Sequence, residues 1–377
     1  MRDILKSKEP RSKIDLCFAK SVELLEKTST PHGFFAAFPG YDAVWARDSM
    51  IISLGASLLG EDLKLTFKNS LITLSKYQSE KGQIPNAVDI FSKRKKHIDF
   101  KSIDSTLWFI IGNYIFKERY KDKVFFEIMK PKIDKAFVWL SYQDIGEDGL
   151  LEQLPTTDWE DAFPHKYGHT INTQALYYGS LIMAGKNKEA ELLKKKVNED
   201  KDDCLLWNGE YYYAYRWKNH NKYHEIGNWF DSLGNLLAIV FDLADGNKAK
   251  KIINYIQKNN IDKPFPVKAI YPAIKKGDKE WKDYFEDCDA RSSYSYLNAG
   301  IWPYIGSFYV LSLIKTKMFD EAKKQLEKVA EANLLNDNFS EWLHGKTGEP
   351  SKGGGQGWNA GTFVLAFESL KARRILI

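Results

Sequence analysis

Apolar positions recur with helical spacing along nearly the whole chain. Asp62–Ser79 sets Leu63, Leu65, Phe67, Leu71, Leu74 and Tyr77 among polar residues, and Phe319–Ala332 does the same with Ala322, Leu326, Val329 and Ala330. Each spacing predicts an amphipathic helix with one face on a core. Other stretches, such as Ala299–Ile314 and Thr362–Leu370, are apolar nearly all round and carry small residues. These predict helices buried on several sides. The pattern predicts about twelve helices, starting near Ile14, Arg47, Leu63, Ser105, Val124, Thr170, Lys188, Trp229, Lys248, Ala299, Phe319 and Gly357.

The odd members are mostly charged and amphipathic, and the even members are more apolar. Even members begin about every 60 residues, the mark of a repeated helical hairpin. A short polar segment precedes each one: Val44–Asp48, Ile103–Trp108, Asp158–Phe163, Asn228–Asp231, Asn298–Pro303 and Ser340–Trp342, with Gln356–Asn359 following. Seven of the eleven tryptophans lie in these segments. In an extended solenoid the segments would form a long ridge. In a closed ring they converge on one mouth, at the positive ends of the inner helices. The expected fold is therefore all-α, an (α/α)6 toroid of six helical hairpins, with residues 1–377 forming one domain. Two regions break the helical pattern. Lys201–Asn228 predicts a small β-hairpin insertion turning at Asn208-Gly209. Asn259–Ser295, with Pro264, Pro266, Pro272 and several aromatics, predicts an ordered functional loop.

Trp is costly to expose, and its N–H wants a partner. Clustered with Asp, Glu, Asn and Arg, it suggests a flat-walled polar pocket suited to a sugar. Carboxylates in that pocket add acid–base chemistry. Asp158, Glu160 and Asp161 flank Trp159, and Glu341 precedes Trp342, across the mouth of a six-hairpin ring. Glycoside hydrolysis needs two such carboxyls, one to protonate the leaving oxygen and one to activate water or attack. The competing reading is that these acids are helix caps and first-turn acids. Arg47 could hold a carboxylate, Asp48 could bind hydroxyls, and Asp104 carries the same two readings.

Composition narrows the partners. Apolar residues make up 44% and charged residues 28%, with a net charge of +5, which is ordinary for a globular chain. Lys93–His97 and Lys194–Lys196 read as solvated loops, so no nucleic-acid surface is expected. No apolar run is long enough for a membrane span, and Met1–Pro10 lacks the apolar core of a secretory signal. Cys17, Cys204 and Cys288 are far apart and in no metal-ligand spacing. A cytoplasmic protein with no metal and no cofactor is expected. Gly353–Gly357 lacks the Lys-Ser/Thr of a P-loop and reads as a close backbone turn at the pocket.

The motifs resemble those of (α/α)6-barrel glycoside hydrolases. Trp45-Ala46-Arg47-Asp48, Gly82–Asn86, Ile103–Phe109 and Trp159-Glu160-Asp161-Ala162 look like the amylo-α-1,6-glucosidase domain of glycogen debranching enzymes. Ile270–Ile274, Tyr296–Pro303 and Glu341–Lys346 are similar to the neutral/alkaline invertases. The resemblance implies Asp161 as general acid, with Gln174 keeping that register, Glu341 as general base, and an inverting reaction without metal. At Glu160 the debranching pattern has an apolar residue, which places a rival acid beside Asp161. The expected sugar site comprises Trp45, Arg47, Asp48, Asp104, Trp108, Asp158, Trp159, Gln174, Asn298, Trp302, His344, Gln356 and Trp358. The expected reaction is hydrolysis of an α-glucosidic bond of the debranching type. The alternative is sucrose hydrolysis, ahead of a sugar epimerase or a non-catalytic carbohydrate-binding protein.

Overall fold

A computed structural model describes residues 12–199, 204–220 and 223–377, with backbone only at 218–220 and 223. Its helices are α1 (Lys13–Thr28), α2 (Ala46–Ala56), α3 (Lys64–Lys76), α4 (Asp104–Tyr120), α5 (Lys123–Ser141), α6 (Ile171–Met183), α7 (Asn187–Glu199), α8 (Ser232–Val240), α9 (Gly246–Lys258), α10 (Pro303–Lys315), α11 (Phe319–Leu334) and α12 (Gly357–Ala372). Among the described residues these twelve are the α-helices, as the periodicity predicts.

Local chemistry sets where they start. Ser12, Asp122, Thr170, Asp231 and Asp245 each accept a first-turn N–H ahead of α1, α5, α6, α8 and α9. Two starts lie later than the apolar pattern suggests. Ala299 has a left-handed backbone, φ +63°, and the helix waits for Pro303, whose fixed φ suits the first helical position. Trp229 lies in a strand, and Asp231 caps the helix that follows.

The even helices are the inner layer. Every residue of α2 and α8 is buried, as are most residues of α4, α6, α10 and α12. The odd helices bury one face, as Ala249, Ile252, Ile253 and Ile256 of α9 show. Around the inner layer α2 packs on α4, α4 on α6, α6 on α8, α8 on α10, α10 on α12, and α12 back on α2. That last contact closes the ring. It needs glycine: a Cβ on Gly55 of α2 would stand 1.8 Å from the carbonyl oxygen of Gly361 in α12.

Short strands lead into several inner helices. β1 (Ser29–Thr30) pairs with β2 (Gly33–Phe34), and β3 (Val44–Trp45), β4 (Ala87–Val88) and β5 (Ile98–Asp99) form a second sheet. The third sheet runs β6 (His169–Thr170), β7 (Tyr213–His220), β8 (Tyr223–Asp231), β9 (Ile270–Tyr271), antiparallel throughout. The expected small hairpin is thus part of a four-stranded sheet, and its long strands are β7 and β8. Asn208-Gly209 makes only a tight turn closed by a Trp207–Tyr212 bridge, and part of the Lys201–Asn228 region lies outside the described residues. The Asn259–Ser295 segment contains β9 and two short 3-10 turns but no α-helix.

Candidate active site

β3 ends at Trp45, and α2 begins with Ala46, Arg47 and Asp48 in its first turn. The helix therefore holds Arg47 and Asp48 at its positive end, at the mouth of the ring. The Arg47 guanidinium donates to both oxygens of Asp104 at 3.0 and 2.9 Å, in the first turn of the neighbouring inner helix α4. Both side chains are almost fully buried. Ser102 also donates to Asp104. Burial works against the Arg47 charge, but Asp104, Asp48 and Asp161 outweigh it.

Beside this pair is a cavity of about 120 Å³ lined by Ala36, Tyr41, Trp45, Arg47, Asp48, Trp159, Asp161, Tyr296, Trp302, Glu341, Gln356 and Trp358. A single water needs about 10–15 Å³ of such space, so the cavity takes a small solute on the scale of one sugar ring. Its walls are aromatic. Trp302 meets Trp159, Trp358 and Tyr296 edge-on or tilted, with ring centres 5.5, 5.9 and 5.3 Å apart. Trp358 stacks on Tyr304 at 4.4 Å. Larger surface grooves exist, including one beside Tyr114 and Ile377, but that one lacks a facing pair of carboxyls between indoles.

Three carboxyls meet in this cavity. Burial, together with Asp48, Asp161 and Asp289, pushes Glu341 up to about 7. Burial raises Asp48 to about 6 against the pull of Arg47. Asp161 is raised by the protein mass around it, and by Asp104 and Asp158, against Arg47. Its side chain nevertheless touches solvent in the open mouth. Surrounding protein and an exposed surface are compatible at the wall of a concavity, and the solvent contact tempers that rise. Glu341 raises Tyr41 to about 12, with burial contributing next. Gly353 lies beside the Glu341 carboxyl, and Gly355 packs so close to Phe38 that a Cβ would stand 1.9 Å from its carbonyl oxygen. The glycine-rich segment is thus the close backbone turn that its composition suggests.

Several expected site residues lie elsewhere. Asp158 and Glu160 are sealed from solvent around Lys166, whose Nζ lies 3.0 Å from Asp158, 2.5 Å from Glu160 and 2.9 Å from Asp231. Asp158 also accepts the Glu160 N–H. Burial drives Glu160 well above the usual carboxyl range, with Asp231 and Asp158 adding to it against Lys166. Neither acid lines the cavity, whereas Asp161 does. Asp104 does not line the cavity; it holds Arg47, which does. Trp108 is core, 1% exposed. The Gln174 amide is taken up by the Leu151 N–H and carbonyl. Asn298 clamps Ile274 and Ala290, tying down the proline-rich loop. His344 Nδ1 faces Thr347 in its own turn. These polar groups are spent on backbone and neighbours rather than turned to the mouth.

Ala36, Tyr41 and Tyr296 line the cavity without belonging to the expected set. Tyr296 belongs to the Tyr296–Pro303 motif, which could have flagged it. Tyr41 sits in a short irregular turn with no pattern to read.

Residues 225–371 match the family of alkaline and neutral invertases. This segment includes Glu341, Trp302, Gln356 and Trp358 but not Arg47, Asp48 or Asp161. Neutral/alkaline invertase 1, mitochondrial, of Oryza sativa subsp. japonica is 27% identical over 48% of this chain and 36% of its own length. The chain thus aligns with only about a third of that relative. Among solved structures, a mannosylglycerate hydrolase of Thermus thermophilus, bound to Tris and D-glycerate, superposes with TM-score 0.70 at 14% identity, over 92% of this chain and 99% of that one. A bacterial glucoamylase complexed with acarbose gives 0.62 at 16% identity, over 96% and 56%. The fold is that of the (α/α)6 glycosidases, and the likeness to the invertases read from the motifs is borne out. Among the described residues no helix is long and apolar enough to cross a membrane.

Proposed function

We propose that this chain, with the (α/α)6 glycosidase fold and an invertase-like second half, is a glycoside hydrolase acting as one domain on a small sugar substrate. One observation carries the reading: Asp161 and Glu341, both shifted toward the protonated form, line one indole-walled cavity of single-ring size. In the proposed reaction Asp161 gives its proton to the glycosidic oxygen as the bond from the anomeric carbon breaks. Glu341 takes a proton from water, whose oxygen attacks that carbon from the opposite face, with inversion. Asp48, in the first turn of α2 beside Arg47, would accept sugar hydroxyls. Trp45, Trp159, Trp302 and Trp358 would supply the apolar walls against the sugar ring.

Sucrose is the first substrate to test, because the invertase family match covers the Glu341 segment. The debranching reading, a terminal α-1,6-linked glucose, rests on the Trp45–Asp48 and Trp159–Ala162 motifs alone. The scattered cysteines favour a reducing compartment such as the cytoplasm, although the rice relative is named mitochondrial. A panel of sucrose, other disaccharides and branched dextrins, assayed for released fructose or glucose, tests the reading. Release from sucrose alone supports the invertase type, and release of glucose from branched dextrins supports the debranching type. Release from none of them contradicts the proposal.

The two carboxyls pose one conflict. Electrostatics alone put the proton on Glu341 near neutrality, whereas the motif resemblance gives the donor role to Asp161. A glycosyl fluoride, whose leaving group needs no proton, separates the two assignments. It restores turnover to a variant lacking the acid and not to one lacking the base. We expect restoration in Asp161→Asn; restoration in Glu341→Gln instead reverses the roles.

A further inference from the structure

Away from the cavity, three segments distant in sequence bring a thiol, an imidazole and a carboxylate together. Asp148 lies in the turn after α5, His169 in β6, and Cys204 beyond α7. Their ligand atoms all lie within 4.8 Å of one another. Cys204 Sγ is 3.2 Å from Asp148 Oδ2. His169 Nε2 is 3.8 Å from the same oxygen and 3.4 Å from Glu152 Oε1. His169 is 7% exposed, and its Nε2 makes no hydrogen bond although both carboxylates are near. A buried imidazole nitrogen aimed into a Cys–Asp cluster without a bond is costly unless something fills the centre.

We propose that Asp148, His169 and Cys204 bind a structural zinc ion, with Glu152 beside the fourth position. Zinc takes Cys, His and carboxylate ligands at about 2.0–2.3 Å in a tetrahedron, so ligand atoms stand roughly 3.3–3.8 Å apart. Asp148 Oδ2 stands 3.2 Å from Cys204 Sγ and 3.8 Å from His169 Nε2, close to those edges, and all three ligand atoms lie within 4.8 Å of one another, so small side-chain adjustments close the tetrahedron. The surroundings fit as well. Asp148 Oδ1 is occupied by the Leu150 N–H, leaving Oδ2 for the ion, and Glu152 is held by the Ile145 and Gly146 N–H groups. Asp148 is only partly buried, which gives the ion a way in. On binding, the Cys204 thiol loses its proton to solvent and the thiolate ligates. The mixed soft and hard donor set selects zinc over calcium or magnesium.

The position gives the ion a task. Gln153 and Gly168 pair through two backbone hydrogen bonds of 3.0 and 2.9 Å, closing the neck of the loop that carries Asp158–Asp161. Glu152 and His169 flank that pair directly. A zinc ion here staples the neck to the segments holding Asp148 and Cys204. The zinc site stands independently of the glycosidase reading.

The test uses the full chain purified under reducing conditions, stripped with a chelator and titrated with Co²⁺ and Zn²⁺. We expect about one tightly held ion per chain, as a single closed site requires. The Co²⁺ form should show a thiolate charge-transfer band and tetrahedral ligand-field bands, and Zn²⁺ should raise the thermal midpoint. The bands should vanish in Cys204→Ser and weaken in His169→Gln, and should persist in Cys17→Ser and Cys288→Ser. If a variant fails to fold, the wild-type spectrum and its zinc-dependent midpoint still decide. Folded wild-type protein that binds neither ion, or a spectrum that survives Cys204→Ser, overturns the site.

Discussion

Glu341→Gln should stabilise the protein while stopping its chemistry. The side chain keeps its shape and loses only its titrating group. In the folded protein the Glu341 carboxyl holds its proton up to about 7, against an ordinary value of 4.5. That gap corresponds to about 3 kcal/mol of unfavourable ionisation once the group is charged. Water reaches part of the side chain in the mouth, so roughly 1–3 kcal/mol should survive screening. The sign follows from proton binding. As pH rises from about 4.5 to about 7, the unfolded chain gives up this proton first, so wild-type stability falls; above about 7 both states have lost it and the difference is constant. The Gln variant lacks this loss. With an unfolding entropy of about 2.1 cal/mol/K per residue, a chain of 377 residues has about 0.8 kcal/mol/K, so the gain is roughly 1–4 °C in midpoint. Calorimetric scans of both proteins should show little difference at acidic pH and a widening advantage for the variant that levels off above neutrality. A variant no more stable than wild type at alkaline pH, or a difference independent of pH, refutes the electrostatic account of the cavity.

Lys166→Met should lower stability by about 3–5 kcal/mol, because it leaves Asp158, Glu160 and Asp231 buried without their cation. Thermal unfolding checks this, and an unchanged midpoint contradicts it. Trp302→Ala should also cost about 3–5 kcal/mol, since the ring is 1% exposed and packs on Trp159, Trp358 and Tyr296. Weakened sugar binding should accompany that loss, and a midpoint equal to wild type would show that the indole is not core.

Ring architecture was legible because the helical period survives in both layers, and the contrast between amphipathic and wholly apolar stretches says which layer is inside. Helix starts were less legible where a strand or a proline decides them, as at Trp229 and Ala299. Within the site, Trp45, Arg47 and Asp48 could be read because they lie at the start of an inner helix, and Asp161 and Glu341 because they sit in the Trp-bearing polar segments that lead toward α6 and α12. Asp158 and Glu160 share that placement but turn inward to Lys166, a partner that no local pattern reveals. Gln174 and Asn298 look like ligand-binding amides in sequence and prove to be backbone clamps. The Asp148, His169 and Cys204 cluster was invisible because 21 and then 35 residues separate its members, and only the fold brings them together.

In the proposed mechanism Asp161 and Glu341 form an acid–base pair at one cavity. The most direct measurement is kcat/KM on the substrate found in the disaccharide panel, for wild type, Asp161→Asn and Glu341→Gln, with circular dichroism confirming the fold of each. Each substitution should lower turnover by about 10²-fold or more, the lower end of general acid–base contributions. Full activity in both variants would contradict the account.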